Sequence, residues 1–199
     1  SFPTRRSSDL SVAVFGASDQ ADSVGKIVFH NMLQSGYDGA LYPINPNHKS
    51  IQGHQAYASI AQIHETVDLA IIATPPQSVP DIIEECGKHN VKAAVIITAG
   101  FGEAGAAGEA LEQAVLENAK RYNIRLIGPN CLGVMRPEIG LNATFNHGSA
   151  NAGDLAFVSQ SGALCTAILD WAKSNDVGFS SVVSMGSSID VDFGEILDY

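Results

Sequence analysis

Cysteine is scarce in this chain. Cys86, Cys131 and Cys165 are odd in number, far apart and without a Cys-x-x-Cys pair. That excludes a disulfide framework and a thiolate zinc site, and it points to a reducing, cytoplasmic compartment. Basic residues are few as well: eleven Lys and Arg face twenty-one Asp and Glu, for a formal charge of −10. A chain so charged lacks the positive footprint that a nucleic-acid backbone requires. No apolar run approaches the roughly 20 residues of a membrane span, and the longest helical patterns carry charges. Neither nucleic acid nor membrane is therefore an expected partner. Internal repeats of solenoid period and low-complexity segments are also missing.

What remains is 199 residues, 45% of them hydrophobic, enough for one packed domain and part of another. The first ten residues, SFPTRRSSDL, hold no apolar core of a signal peptide and resemble the in-frame translation of a common sequencing-adapter primer. Residues 1–10 are set aside as an expected artefact. At the other end, DVDFGEILDY breaks off inside an amphipathic pattern with Val191, Phe193, Ile196 and Leu197 apolar. The expectation is a gene fragment open at both ends.

Between the ends, short β-rich runs alternate with segments of helical period. SVAVFG (11–16), ALYPIN (40–45), DLAIIAT (68–74), KAAVIIT (92–98) and IRLIG (124–128) read as buried strands. Helical patterns fill 24–35, 79–89 and 105–122, the last with Leu111, Ala114, Val115 and Ala119 on one face. Such alternation predicts an α/β fold, a Rossmann-like doubly wound parallel sheet over 11–146 with right-handed crossovers. After Gly128 the chain reads as irregular as far as Gly153. Then DLAFVS, a helix over 163–173, SSVVSM and a helix start suggest the truncated beginning of a second, flavodoxin-like α/β domain over 147–199.

The first strand ends in GASDQADSVGK, a Gly-rich turn into a helix, where backbone N–H groups can cradle an anion. Two usual versions are absent. Gly16, Ser18 and Gly25 do not make G-x-G-x-x-G, and Lys26 is followed by Ile27, so there is no Walker A loop. A nicotinamide dinucleotide would also want an acid after the second strand for its ribose; here the strand ends in Asn45, then Pro46 and Asn47, with Lys49 nearby. That corner suits a phosphorylated ribose better. Read alone, the loop leaves two readings open: an anion cradle, or a tight turn at Gly16 with Ser23 as helix N-cap.

The later strand ends read NPN, ATPP, TAGFGE and GPNCLG, all small or amide-rich, at the edge of a doubly wound sheet where ligands lie. With GLNATF, VSQSGALCTAILDWA and GFSSVVSMGSSIDVDFGEILDY, this series resembles the nucleoside-diphosphate-forming acyl-CoA synthetase superfamily, from Leu10 to Tyr199. The family includes the succinyl-CoA synthetase alpha subunit and the ADP-forming acetate–CoA ligases. The resemblance implies a CoA-binding domain. It places CoA phosphates at Gly16, Ala17 and Ser18 and the helix start at Ser23, Gly25 and Lys26. It places the adenosine end by Asn45, Pro46 and Asn47, and the pantetheine arm along Ala73, Thr74, Pro75, Thr98, Ala99 and Gly100.

Around Ser161 the small-residue turn G-x-S-x-G of a nucleophile elbow is not reproduced, because Ser159 stands two residues before it. The resemblance instead implies that Ser159, Ser161, Gly162 and Ala163 open a helix whose N-terminus faces the phosphate of a phosphohistidine, with Asn130 donating nearby. Ser161 as a plain N-cap is the minimum version of the same geometry. Cys131 reads as a small core residue. The family's His-Thr-Gly segment is absent around His30, His48, His54, His64, His89 and His147, so the catalytic histidine is expected outside this sequence. His147 reads as a solvated linker histidine against a general base, since nothing near it in sequence supplies a nucleophile.

Two functions follow from the resemblance. In one, the chain binds CoA within an ADP-forming acyl-CoA ligase, with ATP or ADP and Mg bound by further C-terminal domains or a separate ATP-grasp subunit, and the complete protein oligomeric. In the other, the same modules sense CoA or acetyl-CoA within a fused lysine acetyltransferase. No metal site is expected in this chain itself.

Overall fold

The structure, a computed structural model, describes residues 10–198. Residues 1–9 of the adapter-like segment lie outside the described residues, as does Tyr199. Leu10 is described, and its carbonyl accepts a hydrogen bond from the Tyr37 hydroxyl at 2.7 Å.

Five short apolar runs pair in parallel into one sheet. They are β1 (Val12–Phe15), β2 (Leu41–Ile44), β5 (Leu69–Ile72), β6 (Ala93–Ile96) and β7 (Arg125–Ile127), in the order β2-β1-β5-β6-β7. Their side chains alternate between two cores, as a pleated strand covered on both faces must. Val12, Val14, Ile71 and Val95 pack on one side with Val28, Phe29 and Met32 of α1 (Val24–Gln34). Ala13, Phe15, Ala70, Ile72, Ala94 and Ile96 pack on the other, with Ile83 of α2 (Val79–Lys88) and Val115 of α3 (Ala106–Tyr122). The winding starts at β1, moves out to β2 and returns to β5, so the chain changes direction between β1 and β5. Crevices open at that reversal, outside the carboxyl ends of the strands.

A small hairpin, β3 (Ser50–Ile51) and β4 (His54–Gln55), follows the second strand; two-residue strands leave no alternation to read, so it was absent from the sequence expectation. The stretch after Gly128 also differs from its irregular reading. It forms an antiparallel hairpin, β8 (Gly133–Arg136) with β9 (Leu141–Thr144). Its alternation is hidden because the two strands face different partners: Met135 enters the core of the second unit, while Leu141 and Ala143 enter that of the first. β8 then pairs antiparallel with β11 (Gly178–Ser184), which pairs parallel with β10 (Asn151–Ser159). The second sheet therefore runs β10-β11-β8-β9, with α4 (Gly162–Ser174) packed on it through Cys165, Leu169 and Ala172. The boundary expected at 146/147 falls between β9 and β10, whereas by pairing β8 and β9 stand with the second sheet.

The hairpin also grips the first unit. Asn31 of α1 donates through Nδ2 to the carbonyls of Thr144 and Asn146, both at 2.8 Å, and the Ser35 hydroxyl donates to the Gly140 carbonyl. A second tie lies at the far edge. Ser187, Ile189 and Val191 donate backbone N–H groups to the carbonyls of Pro129, Gly128 and Leu126, and the short α5 (Phe193–Leu197) follows under an Asp192–Glu195 capping box. Among the described residues no helix is long and apolar enough to cross a membrane.

Candidate functional site

The turn from β1 into α1 is built from glycines placed where side chains cannot go. Gly16 has φ +83°, and a Cβ there would stand 2.7 Å from the Ala73 carbonyl oxygen at the end of β5. Gly25, on the first turn of α1, presses so close to Gly16 that a Cβ would lie 1.8 Å from its oxygen. The helix start is thus drawn down against the strand end. Ser23 caps it, accepting from Lys26 N at 3.2 Å and donating to the Gln20 carbonyl at 3.0 Å. Asn45 braces the loop from the next strand: Nδ2 donates to the Ala17 carbonyl at 2.9 Å, while Oδ1 accepts from Asn47 N at 2.9 Å. Gln52 of the small hairpin adds bonds to the Ser18 and Lys26 carbonyls at 3.3 and 3.0 Å.

The neighbouring strand ends are cross-linked in the same way. Thr98 Oγ1 donates to the Thr74 carbonyl at 2.7 Å, Ser78 Oγ donates to Thr74 Oγ1 at 2.9 Å, and Asn130 N donates to the Thr98 carbonyl at 2.9 Å. On the second unit Ser161 N-caps α4, accepting from Leu164 N at 3.2 Å, and its own N–H donates to Ser159 Oγ at 3.1 Å. This leaves the N–H groups of Gly162 and Ala163 without an intrahelical partner, as in any first helical turn.

These pieces converge on one cleft of about 880 Å3. Its walls include Ser23 and Val24 at the start of α1, Ala73, Thr74 and Pro75 after β5, Thr98 and Ala99 after β6, Asn130 after β7, and Gly162 and Ala163 at the start of α4. Two helix N-termini thus open on the same space, each equivalent to roughly half a positive charge. Among the described residues lining the cleft none carries a charged side chain. In a chain of formal charge −10 that is a place where an anion meets backbone donors without facing a carboxylate.

Two family models match the chain: one described as a CoA binding domain over residues 10–137, the other as a succinyl-CoA ligase like flavodoxin domain over 152–199. The chain belongs to the CoA-binding-domain family. Acetate–CoA ligase (ADP-forming) I of Archaeoglobus fulgidus is 46% identical over 188 residues, 94% of this chain and 27% of that protein. Acetate–CoA ligase (ADP-forming) I subunit alpha of Pyrococcus furiosus is 39% identical over 193 residues, 95% of this chain and 42% of the subunit. Among solved structures, the dinucleotide forming acetyl-coenzyme A synthetase 1 of Candidatus Korarchaeum cryptofilum, in complex with phosphate and ADP, superposes with a TM-score of 0.90 at 38% identity. That match covers 94% of this chain and 40% of the other. The chain spans well under half the length of each.

Within this CoA-binding-domain chain, the residues singled out from sequence divide into two groups. Ser23, Ala73, Thr74, Pro75, Thr98, Ala99, Asn130, Gly162 and Ala163 line the cleft. Gly16, Ala17, Ser18, Gly25, Asn45 and Ser159 shape or brace its walls from behind, and Ser161 caps α4. Pro46 and Asn47 are exposed on the corner beyond it. Gly100 does not line the cleft, and its N–H donates to Glu103 Oε1 at 2.6 Å. Lys26 lines a separate cleft of about 500 Å3, on the side of α1 that carries His30 and facing His147. His147 is exposed there.

Sequence reading missed Gln20, Val24, Ile97, Leu132, Phe145 and Thr166 as wall residues. Thr166 carried a signal, since it stands one helical turn after Gly162; Phe145 did not, because it arrives through the unexpected hairpin. Cys131 also lines the cleft, yet only 3% of it is exposed, and its Sγ donates to the Ile96 carbonyl at 3.3 Å. Burial pushes its thiol up to about 12, so it stays protonated at neutral pH and is not a nucleophile. Among the described residues no group of three or more His, Cys, Asp or Glu is placed to hold a metal ion.

Proposed function

We propose that this chain supplies the CoA-binding and phosphate-facing part of an ADP-forming acyl-CoA ligase, acting on acyl-CoA, ADP and phosphate to give the acid, CoA and ATP. The observation that carries the reading is the single uncharged cleft on which α1 and α4 both open. CoA is an elongated polyanion at one end and a reactive thiol at the other. The start of α1, with Gly16, Ala17, Ser18, Ser23 and Gly25, receives its phosphates; the corner at Asn45, Pro46 and Asn47 receives the adenosine. The arm runs past Ala73, Thr74, Pro75, Thr98 and Ala99, whose small side chains leave it room, toward Asn130 and α4. Lys26 and Gly100 are left out of this assignment: Lys26 lines the separate cleft beside His30, and the Gly100 N–H donates to Glu103 Oε1.

At the α4 end a phosphate oxygen attacks the thioester carbonyl. The carbon–sulfur bond breaks, CoA leaves as its thiol after taking up a proton, and an acyl phosphate remains. Its phosphoryl group passes to a histidine nitrogen, releasing the carboxylate, and then to ADP. The N–H groups of Gly162 and Ala163 stabilise the charge on the phosphoryl oxygens, in a wall already oriented before the reaction. The histidine, the nucleotide site and any Mg belong to further domains or an ATP-grasp subunit, within a cytoplasmic oligomer. Both named relatives are ligases, and this favours the ligase over the acetyltransferase-fused platform.

Calorimetric titration tests the reading. The chain is expected to bind CoA saturably and NAD not at all, and to catalyse nothing alone. Gly25→Val, which forces α1 off the Gly16 carbonyl, is expected to weaken CoA by roughly tenfold to a hundredfold. Saturable NAD binding without CoA binding overturns the assignment.

A further inference from the structure

Behind the cleft, two serines stand side by side at the ends of parallel strands. Ser159 closes β10 and Ser184 closes β11, and the two are direct partners in the register. Ser184 is fully buried and Ser159 nearly so. Neither hydroxyl is spent on its own strand. Ser159 Oγ accepts from Ser161 N at 3.1 Å, holding the approach to α4; Ser184 Oγ accepts from Leu132 N at 2.9 Å, holding the turn that carries Asn130. Cys165, one turn into α4, is joined to both: burial pushes its thiol up, and hydrogen bonds with Ser184 and Ser159 oppose that shift. The two walls thus fixed stand close together: a Cβ added to Gly162 would lie 3.4 Å from Leu132 Cβ.

We infer that Ser184 is a positioning residue for the anion end of the cleft: with Ser159 and Cys165 it locks the Asn130–Leu132 turn and the α4 N-terminus in one mutual orientation. The inference rests on the proposed phosphate role of α4 and adds a residue that sequence reading passed over inside SSVVSM. The physical reason is the cost of the alternative. With the hydroxyl gone, the buried Leu132 N–H has no acceptor, and the turn must shift to find one. The far end of the cleft, at the start of α1, is built from other elements.

The test titrates inorganic phosphate and, separately, CoA into the chain by NMR and calorimetry, while following exchange of the Leu132 amide. Ser184→Ala is expected to weaken phosphate by about tenfold, speed Leu132 exchange, and leave CoA within about twofold. Ser184→Thr and Ser184→Val form the control pair, alike in shape and different in the hydroxyl alone. Thr is expected to bind phosphate about tenfold more tightly than Val. Equal phosphate affinity in that pair overturns the inference, as does a parallel loss of phosphate and CoA, which marks a merely structural role. If the unaltered chain binds CoA and no phosphate, the phosphate reading of α4 itself fails, and the positioning role falls with it.

Discussion

The two units of the chain solve the problem of burial differently. In the first, the five-stranded sheet is covered on both faces, and its large side chains, Phe29, Phe101, Met32 and the isoleucines of β5 and β6, are fully buried. In the second, one small core gathers around Leu132, Met135, Cys165, Leu169 and Phe179, while Leu155, Leu164, Trp171 and Leu197 remain exposed. Trp171 shows 55% of its surface and Leu197 75%. The first unit therefore carries most of the buried core, completed by Leu141 and Ala143 of the hairpin. The second holds its place by leaning on the first, through the β8–β9 hairpin and the strip from Ser187 to Glu195. A site formed between them inherits that asymmetry: its α1 side is fixed by the larger core, its α4 side by the smaller one and by contacts between units.

The sharpest way to break this comparison is to remove one aromatic ring from each side. Phe29 is fully buried between α1 and the sheet, with His54 edge-on at 5.9 Å. Phe29→Ala is expected to cost about 3–5 kcal/mol, because it removes the ring and leaves a cavity that the packed sheet cannot close. Trp171→Ala, on the exposed face of α4, is expected to change stability by less than about 0.5 kcal/mol. Urea denaturation monitored by circular dichroism measures both. Equal effects would mean that Trp171 is covered in solution, and that the two units are more alike than their cores indicate.

How much of this was legible in the sequence follows the same division. The strands and helices of the first unit were readable, because each is a short buried run or an amphipathic period whose partner lies inside the same domain. The cleft was readable at its strand ends, where small residues and amides at Ala73, Thr74 and Thr98 mark backbone left open for a ligand. What was hidden lies at the joins. The β8–β9 hairpin divides its apolar residues between two cores, so no single period shows. Ser184 looks like any polar residue inside a strand until Leu132, 52 positions away, is seen to donate to it. Lys26 read as part of the phosphate loop, but it is the third residue of α1, about 200° round the helix from Val24, and it lines the separate cleft beside His30 while Val24 lines the larger one.

A smaller effect separates the units by pH. Cys86 and Cys131 belong to the cores of the first unit and Cys165 to the second, and burial pushes all three thiols up, Cys131 to about 12. Folded values above the unfolded value of about 8.5 mean that the unfolded chain loses its protons first. Stability is then fully present below about pH 8.5 and falls as pH rises toward 12, by up to about 1.4 kcal/mol per pH unit for each thiol. Urea midpoints at pH 8 and pH 10 check this. Replacing Cys86 or Cys131 by Ala is expected to flatten the pH dependence more than replacing Cys165, whose upward shift is opposed by hydrogen bonds with Ser184 and Ser159. An unchanged midpoint between the two pH values would show that the thiols are reached by solvent without unfolding.

The least costly change tests the join itself. Arg125, on β7 at the edge of the first sheet, donates through Nε to Asp190 at 3.0 Å and through one terminal nitrogen to both carboxylate oxygens of Glu195 at 2.8 Å. Asp190 accepts in addition from Leu126 N at 2.8 Å, so one arginine gathers the strip before α5 and α5 itself onto the strand. Hydrogen bonds to Glu195 and Asp190 raise the guanidinium further above its usual range, and the group stays charged at every pH at which the chain is folded. The pair is half exposed, and solvent screening holds its contribution to about 1 kcal/mol or less. Arg125→Ala is therefore expected to leave the main unfolding transition nearly unmoved. Amide exchange should instead accelerate selectively over 187–198, with the β1, β5 and β6 amides as slow as before. Faster exchange in both units would show that they unfold as one body, and the contrast between the unit with the larger core and the one that leans on it would have to be abandoned.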